Sequence, residues 1–146
     1  MKKKSKCMYV LMFIIFIFQC SYNIYQHNKI SGYKRQLKII VINNLQQFAS
    51  MDVSKDNEII YAEQYASIVA AQEAYVLLGG GKGIPSEEYD STLAKSFIQI
   101  KRIMLNDKEK FKKIFGGMDA SNLIFKISDD FEDKDSIIKL NKLLSD

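Results

Sequence analysis

The sequence predicts an all-α fold, a small bundle of about five or six helices behind an N-terminal hydrophobic anchor. Three observations predict it. A single proline and no tryptophan, among many isoleucines and lysines, favour helices over a turn-rich β architecture. From Tyr33 onward, apolar residues return at intervals of three and four, the period of one helix face. Glycine, proline and acidic residues then fall where helices would stop and start.

The first element is the anchor. Lys2, Lys3, Lys4 and Lys6 form a positive cluster, and Met8 to Phe18 is an unbroken apolar run of eleven residues. That length suits the hydrophobic part of a secretory signal and falls short of the ~20 residues that cross a bilayer as a helix. A span would have to recruit Gln19 to Ile24. Tyr22 and Tyr25 suit a membrane interface, whereas Gln19 and Asn23 are poorly matched to lipid tails.

A small-residue cleavage site of the A-x-A kind is absent, and Cys20 closely follows the apolar run, with Ile17 three positions before it. This pattern resembles the lipobox of bacterial lipoproteins over the first 20 residues. The resemblance implies a diacylglyceryl group on the Cys20 thiol and a new N-terminus there. Phe18 and Gln19 depart from the small residues usual beside that cysteine. Two attachments are therefore expected side by side: a lipid anchor at Cys20, or an uncleaved helix reaching about residue 25. In both, the lysine cluster stays cytoplasmic and the remainder is exported to the extracytoplasmic face.

Residues 21–32, polar and ending in Gly32, are expected to form a tether, and residues 33–146 the helical domain. Leu37, Val41, Leu45, Phe48 and Met51 make the first stripe. The β-branched run Leu37–Ile42 would also suit a strand, but it continues to Phe48 without a turn. Ser54 or Asp56 is expected to cap a second helix that runs to about Leu78, where Gly79 stops it. Pro85, followed by Glu87 and Glu88, opens a third that buries Leu93, Phe97, Ile100 and Met104. A short fourth, Lys108 to Phe115, sets Phe111 and Phe115 one turn apart before Gly116 and Gly117. Asp119 starts a fifth with Leu123, Ile124, Ile127 and Phe131 inward. Asp135 or Ser136 caps a last one with Ile137, Leu140 and Leu144 inward.

Charge excludes one class of partner. After Cys20 the chain carries seventeen basic and seventeen acidic residues, so the net charge of +4 belongs to the leader. Nucleic-acid binding needs a basic domain, and none is expected here. Cys7 and Cys20 are the only cysteines and both lie in the leader, so the exported part has neither disulfide nor thiolate chemistry. His27, the only histidine, lies in the expected tether, which excludes histidine triads and multi-histidine metal sites. No cofactor is implied.

The remaining motifs weaken on spacing. In Gly79–Pro85, "GGGKGIP", Leu77 stands where a phosphate-binding loop needs glycine, and Gly83 where it needs Ser or Thr. In Asp129–Asp135, "DDFEDKD", Phe131 and Lys134 occupy positions that a calcium loop fills with an oxygen ligand and a glycine. Glu73 has Val69, Ala70, Val76 and Leu77 at helical spacing, so a buried carboxylate acting as acid or base is conceivable there. The plainer expectation is that it reaches the bundle edge or pairs with a lysine such as Lys82. Tyr61, Tyr65, Ile68, Gln72 and Tyr75 form a tyrosine-rich stripe apart from an Ala62, Ala66, Val69 seam, suited to a core boundary or to a protein partner. Lys29, Lys34, Arg35 and Lys38, with no acid before Asp52, are candidates for contact with anionic headgroups. The expected role is a non-enzymatic binding or assembly module held at a membrane, with an unidentified protein partner and no assigned oligomeric state. A carboxylate-dependent hydrolase is the rival.

Overall fold

The computed structural model describes residues 2–53, 57–79 and 93–145, leaving aside the side chains of residues 2–7 and 10. Six helices follow in order: α1 (Lys2–Ser50), α2 (Glu58–Leu78), α3 (Leu93–Asn106), α4 (Lys108–Phe115), α5 (Met118–Asp129) and α6 (Lys134–Ser145). Among the described residues there is no strand, and the fold is an all-α bundle. The chain divides into two compact units, Met1–Gln36 and Leu37–Asp146, with the boundary inside α1.

The first unit contains the expected anchor and the expected tether. Residues 21–32 are helical throughout, as part of α1. A polar composition does not break a helix, and one interior glycine costs only about 1 kcal/mol against alanine. Nothing lies within 4 Å of where a Gly32 side chain would begin. Every side chain from Leu11 to Tyr25 is exposed, and Gln26 Nε2 donates to the Tyr22 hydroxyl at 2.7 Å. Among the described residues, no helix is long and apolar enough to cross a membrane.

The second unit holds its own core. Val41, Leu45 and Phe48 of α1 are buried as their four-and-three spacing requires, and Leu37 packs at the edge. The β-branched run is helix, not strand. Packed against α2, α4 and α6, α3 buries Leu93, Phe97, Ile100 and Met104. Phe111 and Phe115 of α4 point inward together with Ile124 and Ile127 of α5 and Ile137, Leu140 and Leu144 of α6. Leu123 and Phe131 lie partly buried against this core. Four aromatic rings join three helices. Phe48 stands edge-on to Phe115 at 5.1 Å and to Phe111 at 6.1 Å, and Tyr61 stands edge-on to Phe111 at 5.4 Å.

Several helix ends differ from expectation by a residue or a few. The expected caps Ser54 and Asp56 lie outside the described residues. Asn57 caps α2, its Oδ1 accepting the Ile59 N–H at 2.9 Å. The stop at Gly79 has φ −82°, and its N–H donates to Tyr75 O, so no left-handed turn is used. Pro85, Glu87 and Glu88 also lie outside the described residues, and the described part of that helix begins at Leu93. The bounds of α4 are those expected. Asp107 Oδ1 accepts the Lys110 N–H at 2.9 Å, and the Gly116 N–H donates to Lys112 O.

Neither Asp135 nor Ser136 caps α6. Asp133 does, with Oδ1 accepting the Ser136 N–H at 3.1 Å and Oδ2 accepting the Ser136 hydroxyl at 2.6 Å. The Ser136 hydroxyl bond, before all else, holds the Asp133 carboxyl below its ordinary value. A depressed folded pKa contributes stability that is complete above the unfolded value, about 4, and is lost as pH falls through the lowered one. Asp133→Asn keeps an acceptor but removes that titration. The melting temperature of this variant is expected to fall less steeply than that of the parent below pH 4, as read by circular dichroism.

Candidate functional site

The tyrosine stripe of α2 packs inward. Ile68 is 0% exposed, while Tyr61, Tyr65 and Tyr75 lie partly buried against the core. Tyr75 stands edge-on to Phe97 at 5.7 Å and to Phe131 at 6.1 Å. Gln72 is partly buried, and its Oε1 accepts no hydrogen bond among the described residues. These five residues form a core boundary, and Ile68 has no surface to offer a partner.

Tyr61 also terminates a neighbour. Its hydroxyl donates to Met104 O, one of the last carbonyls of α3. One turn further, the buried Gln64 amide donates to Phe48 O and Met51 O at 3.4 Å each, at the end of α1. Burial raises the Tyr61 phenol pKa, against a smaller opposing pull from Lys112. A raised folded pKa contributes stability that is present below the ordinary value near 10 and lost as pH rises through the folded one. Tyr61→Phe is expected to cost about 1 kcal/mol in urea titration at neutral pH, the worth of one hydrogen bond, and to leave the ring packing intact.

The Ala62, Ala66, Val69 seam faces the other way. Ala62 and Ala66 are exposed and Val69 is half-buried. Ile59 and Leu77, near the two ends of the same side, are 70% and 66% exposed. Glu73 is also exposed, so it is no buried acid. It lines a shallow groove with Val69, Gln72, Val76, Leu77 and Lys101, and among the described residues no second carboxylate shares that lining. Lys82, its other expected partner, lies outside the described residues, as does most of the Gly79–Pro85 loop.

The second unit carries fourteen basic residues against seventeen acidic ones, a formal charge of −3, yet lysines gather at one end of it. Lys126, Lys139 and Lys142 rim a notch of about 620 Å³ floored by Leu123 and Leu143. A neighbouring notch of about 710 Å³ shares Asp119 and Leu143 and adds Lys110, Lys113, Glu109 and Ile114. Met118, at the start of α5, is 82% exposed. Sequence reading missed this site. Its lysines come from three helices, and the only visible signal was the basic character of Lys101–Lys113.

The proposed headgroup contacts Lys29, Lys34, Arg35 and Lys38 are all exposed on α1. Lys29 lies 6.0 Å from the Tyr33 ring centre, and Lys38 lies 5.8 Å from that of Phe131. Lys38 belongs to the second unit and the other three to the first. Cys20 is a free, exposed thiol, and His27 is exposed. Among the described residues, no group of three His, Cys, Asp or Glu side chains is placed to hold a metal ion. The acidic run from Asp129 closes α5 and opens α6 through the Asp133 cap.

No family model, curated protein or solved structure matches the chain.

Proposed function

We propose that this chain is an exported, membrane-held protein that works as a non-enzymatic binding or assembly module. The observation that carries the reading is the character of the first unit. Met8, Tyr9 and every residue from Leu11 to Phe18 are exposed, and they cover all sides of one helix behind a lysine cluster. Residues 1–36 hold seven basic residues and no acid. Such a helix buries nothing within its own unit, and a lipid phase supplies the cover that its apolar side chains lack.

Attachment takes one of two forms. In one, Cys20 Sγ carries a diacylglyceryl thioether and a signal peptidase hydrolyses the Gln19–Cys20 peptide bond, releasing the first nineteen residues; in the other, an uncleaved helix keeps Met1. The bundle is then presented at high local concentration on the outer face of the membrane. The surface best suited to a protein partner is the lysine-rimmed end of α4, α5 and α6, which combines apolar floor with positive rim and favours an acidic, partly apolar ligand surface. A carboxylate-dependent hydrolase draws no support from Glu73, which is solvent-facing and, among the described residues, has no partner acid in its groove.

Protease added to whole cells, or to spheroplasts where an outer barrier exists, is expected to digest the bundle. Mass spectrometry of the membrane-extracted protein then reads the attachment, as an acylated Cys20 N-terminus or an intact Met1. A bundle that survives while an exported control of similar stability is cleaved overturns the reading.

A further inference from the structure

Two helices packed as a hairpin leave a furrow along their seam, and a third helix is what fills such a furrow in a bundle. The first lysine-rimmed notch is the furrow between α5 and α6, which follow one another in the chain and pack together. From α5 it takes Asp119, Asn122, Leu123 and Lys126, and from α6 Lys139, Lys142 and Leu143. The spacings are three, one and three, then three and one. Such positions share one face of a helix, so each helix turns a whole stripe toward the furrow. Leu123, partly buried against the core, and Leu143, exposed, form the floor. Ile114 of α4 extends it into the second notch, which also borders Leu143. The rim is charged. Lys126 stands on the α5 bank, Lys139 and Lys142 on the α6 bank, and Lys110 and Lys113 at the α4 end. Against these five lysines the described lining sets two acids: Asp119, and Glu109, whose carboxylate lies 3.6 Å from Lys112 Nζ.

We propose that this furrow seats one helix of a protein partner, an amphipathic helix whose apolar stripe is flanked by carboxylates. The proposal rests on the reading of the chain as a binding module and names the form its partner takes. The floor selects a helix. Matched stripes on two neighbouring helices meet the ridge of a third, and among the described residues no strand edge is present for an extended segment to pair with. The rim selects the charge. Carboxylates beside the incoming stripe meet lysines on both banks, while the lysine stems add apolar cover over the leucines. Asp119, which lines both notches, repels an acid set against it. The carboxylates of the incoming helix therefore gather along the lysine banks and leave the Asp119 end uncharged.

The test uses the full chain in nonionic detergent and a fluorescent synthetic peptide of about four helical turns. The peptide carries leucines at alternating intervals of three and four, glutamates on both sides of them and alanine elsewhere. Fluorescence anisotropy, read against empty micelles, is expected to show saturable binding to the parent. Lys139→Gln together with Lys142→Gln should weaken it about tenfold, the joint effect of two rim contacts. Lys126 also attracts Asp133 of its own chain, so it stays in place. Leu143→Ser should weaken binding through the floor and Asp119→Asn should tighten it, both with unchanged helix content by circular dichroism. No saturable binding above empty micelles overturns the proposal. So does equal binding by the double lysine variant, or by a peptide of the same composition whose leucines are out of helical spacing. Glu87→Gln, Glu88→Gln and Asp90→Asn, combined in the segment 80–92 outside the described residues, should leave the affinity unchanged. A gain of about threefold or more means that this segment competes for the furrow, and it overturns the proposal. A parent that sediments as a pair of chains, lost in the double lysine variant, makes a second copy the occupant and overturns it equally. None of these results touches export or attachment, which protease and mass spectrometry read separately.

Discussion

Phe48→Ala is expected to lower the unfolding free energy of the bundle by about 3–5 kcal/mol, the usual cost of emptying a buried aromatic site. Phe48 is 1% exposed and meets two rings from α4, Phe111 and Phe115, which themselves lie 4.9 Å apart. The alanine variant loses transfer energy and leaves a cavity whose walls belong to helices already fixed by other contacts. Relaxation into the gap is therefore incomplete. Against a typical domain stability of about 5–15 kcal/mol, the loss brings the bundle close to its threshold. Urea titration of the detergent-solubilised chain checks it, followed by the near-ultraviolet tyrosine signal, to which the packed Tyr61, Tyr65 and Tyr75 contribute, because the continuous helix of the first unit would add to the backbone signal. Phe48→Leu should cost much less, since it refills most of the volume. A cost below 1 kcal/mol for the alanine variant would show that the end of α1 is not part of the core.

On the proposed reading, Ile14→Lys combined with Ile17→Lys is expected to abolish membrane attachment. Each lysine in the middle of an inserted helix costs about 2.5–3.5 kcal/mol on insertion scales, and the pair therefore shifts the partition by a factor on the order of ten thousand. Both isoleucines are exposed and lie three residues apart, so neither can reach a headgroup without drawing the helix out of lipid. The expected result is a soluble chain retained inside the cell, protected from external protease and recovered in the supernatant after high-speed sedimentation. Retention in the membrane pellet through an alkaline carbonate wash would mean that residues elsewhere carry the attachment.

Much of the bundle is legible because large apolar side chains at helical spacing leave few choices. The bounds of α4 and the buried set of α3 follow directly from Phe111, Phe115, Leu93, Phe97, Ile100 and Met104. Caps are harder. Asn57 stands beside Asp56 near Ser54, and Asp133 beside Asp135 and Ser136, so several equivalent oxygens compete and backbone geometry makes the selection. The helical state of residues 21–32 is equally hidden, since continuing a helix requires only that nothing break it.

The facing of α2 is the hardest feature to read, because its tyrosine stripe suits a core boundary and a partner surface alike. A helix whose apolar residues are spread around its circumference has no clear period to read, and alanines alternate with tyrosines along it. Bulk decides, because an aromatic ring removes far more surface from water than a methyl group does. Tyr61 and Tyr75 therefore face the core, and Ala62 and Ala66 remain outside. The lysine-rimmed notches were illegible for another reason. Their side chains come from separate helices, and no local pattern announces that convergence.

The polar tips on the inner side of α2 have an effect on how the bundle comes apart. Carbonyls at the end of a helix lack partners within it, and a terminus left to itself frays. Tyr61 and Gln64 close off the ends of α3 and α1 from a single turn of a third helix. Loosening that one turn therefore unzips two termini at once, and tightening it seals both. The melting of this corner is consequently shared among three segments rather than helix by helix, a local origin for sharp cooperativity in a small protein.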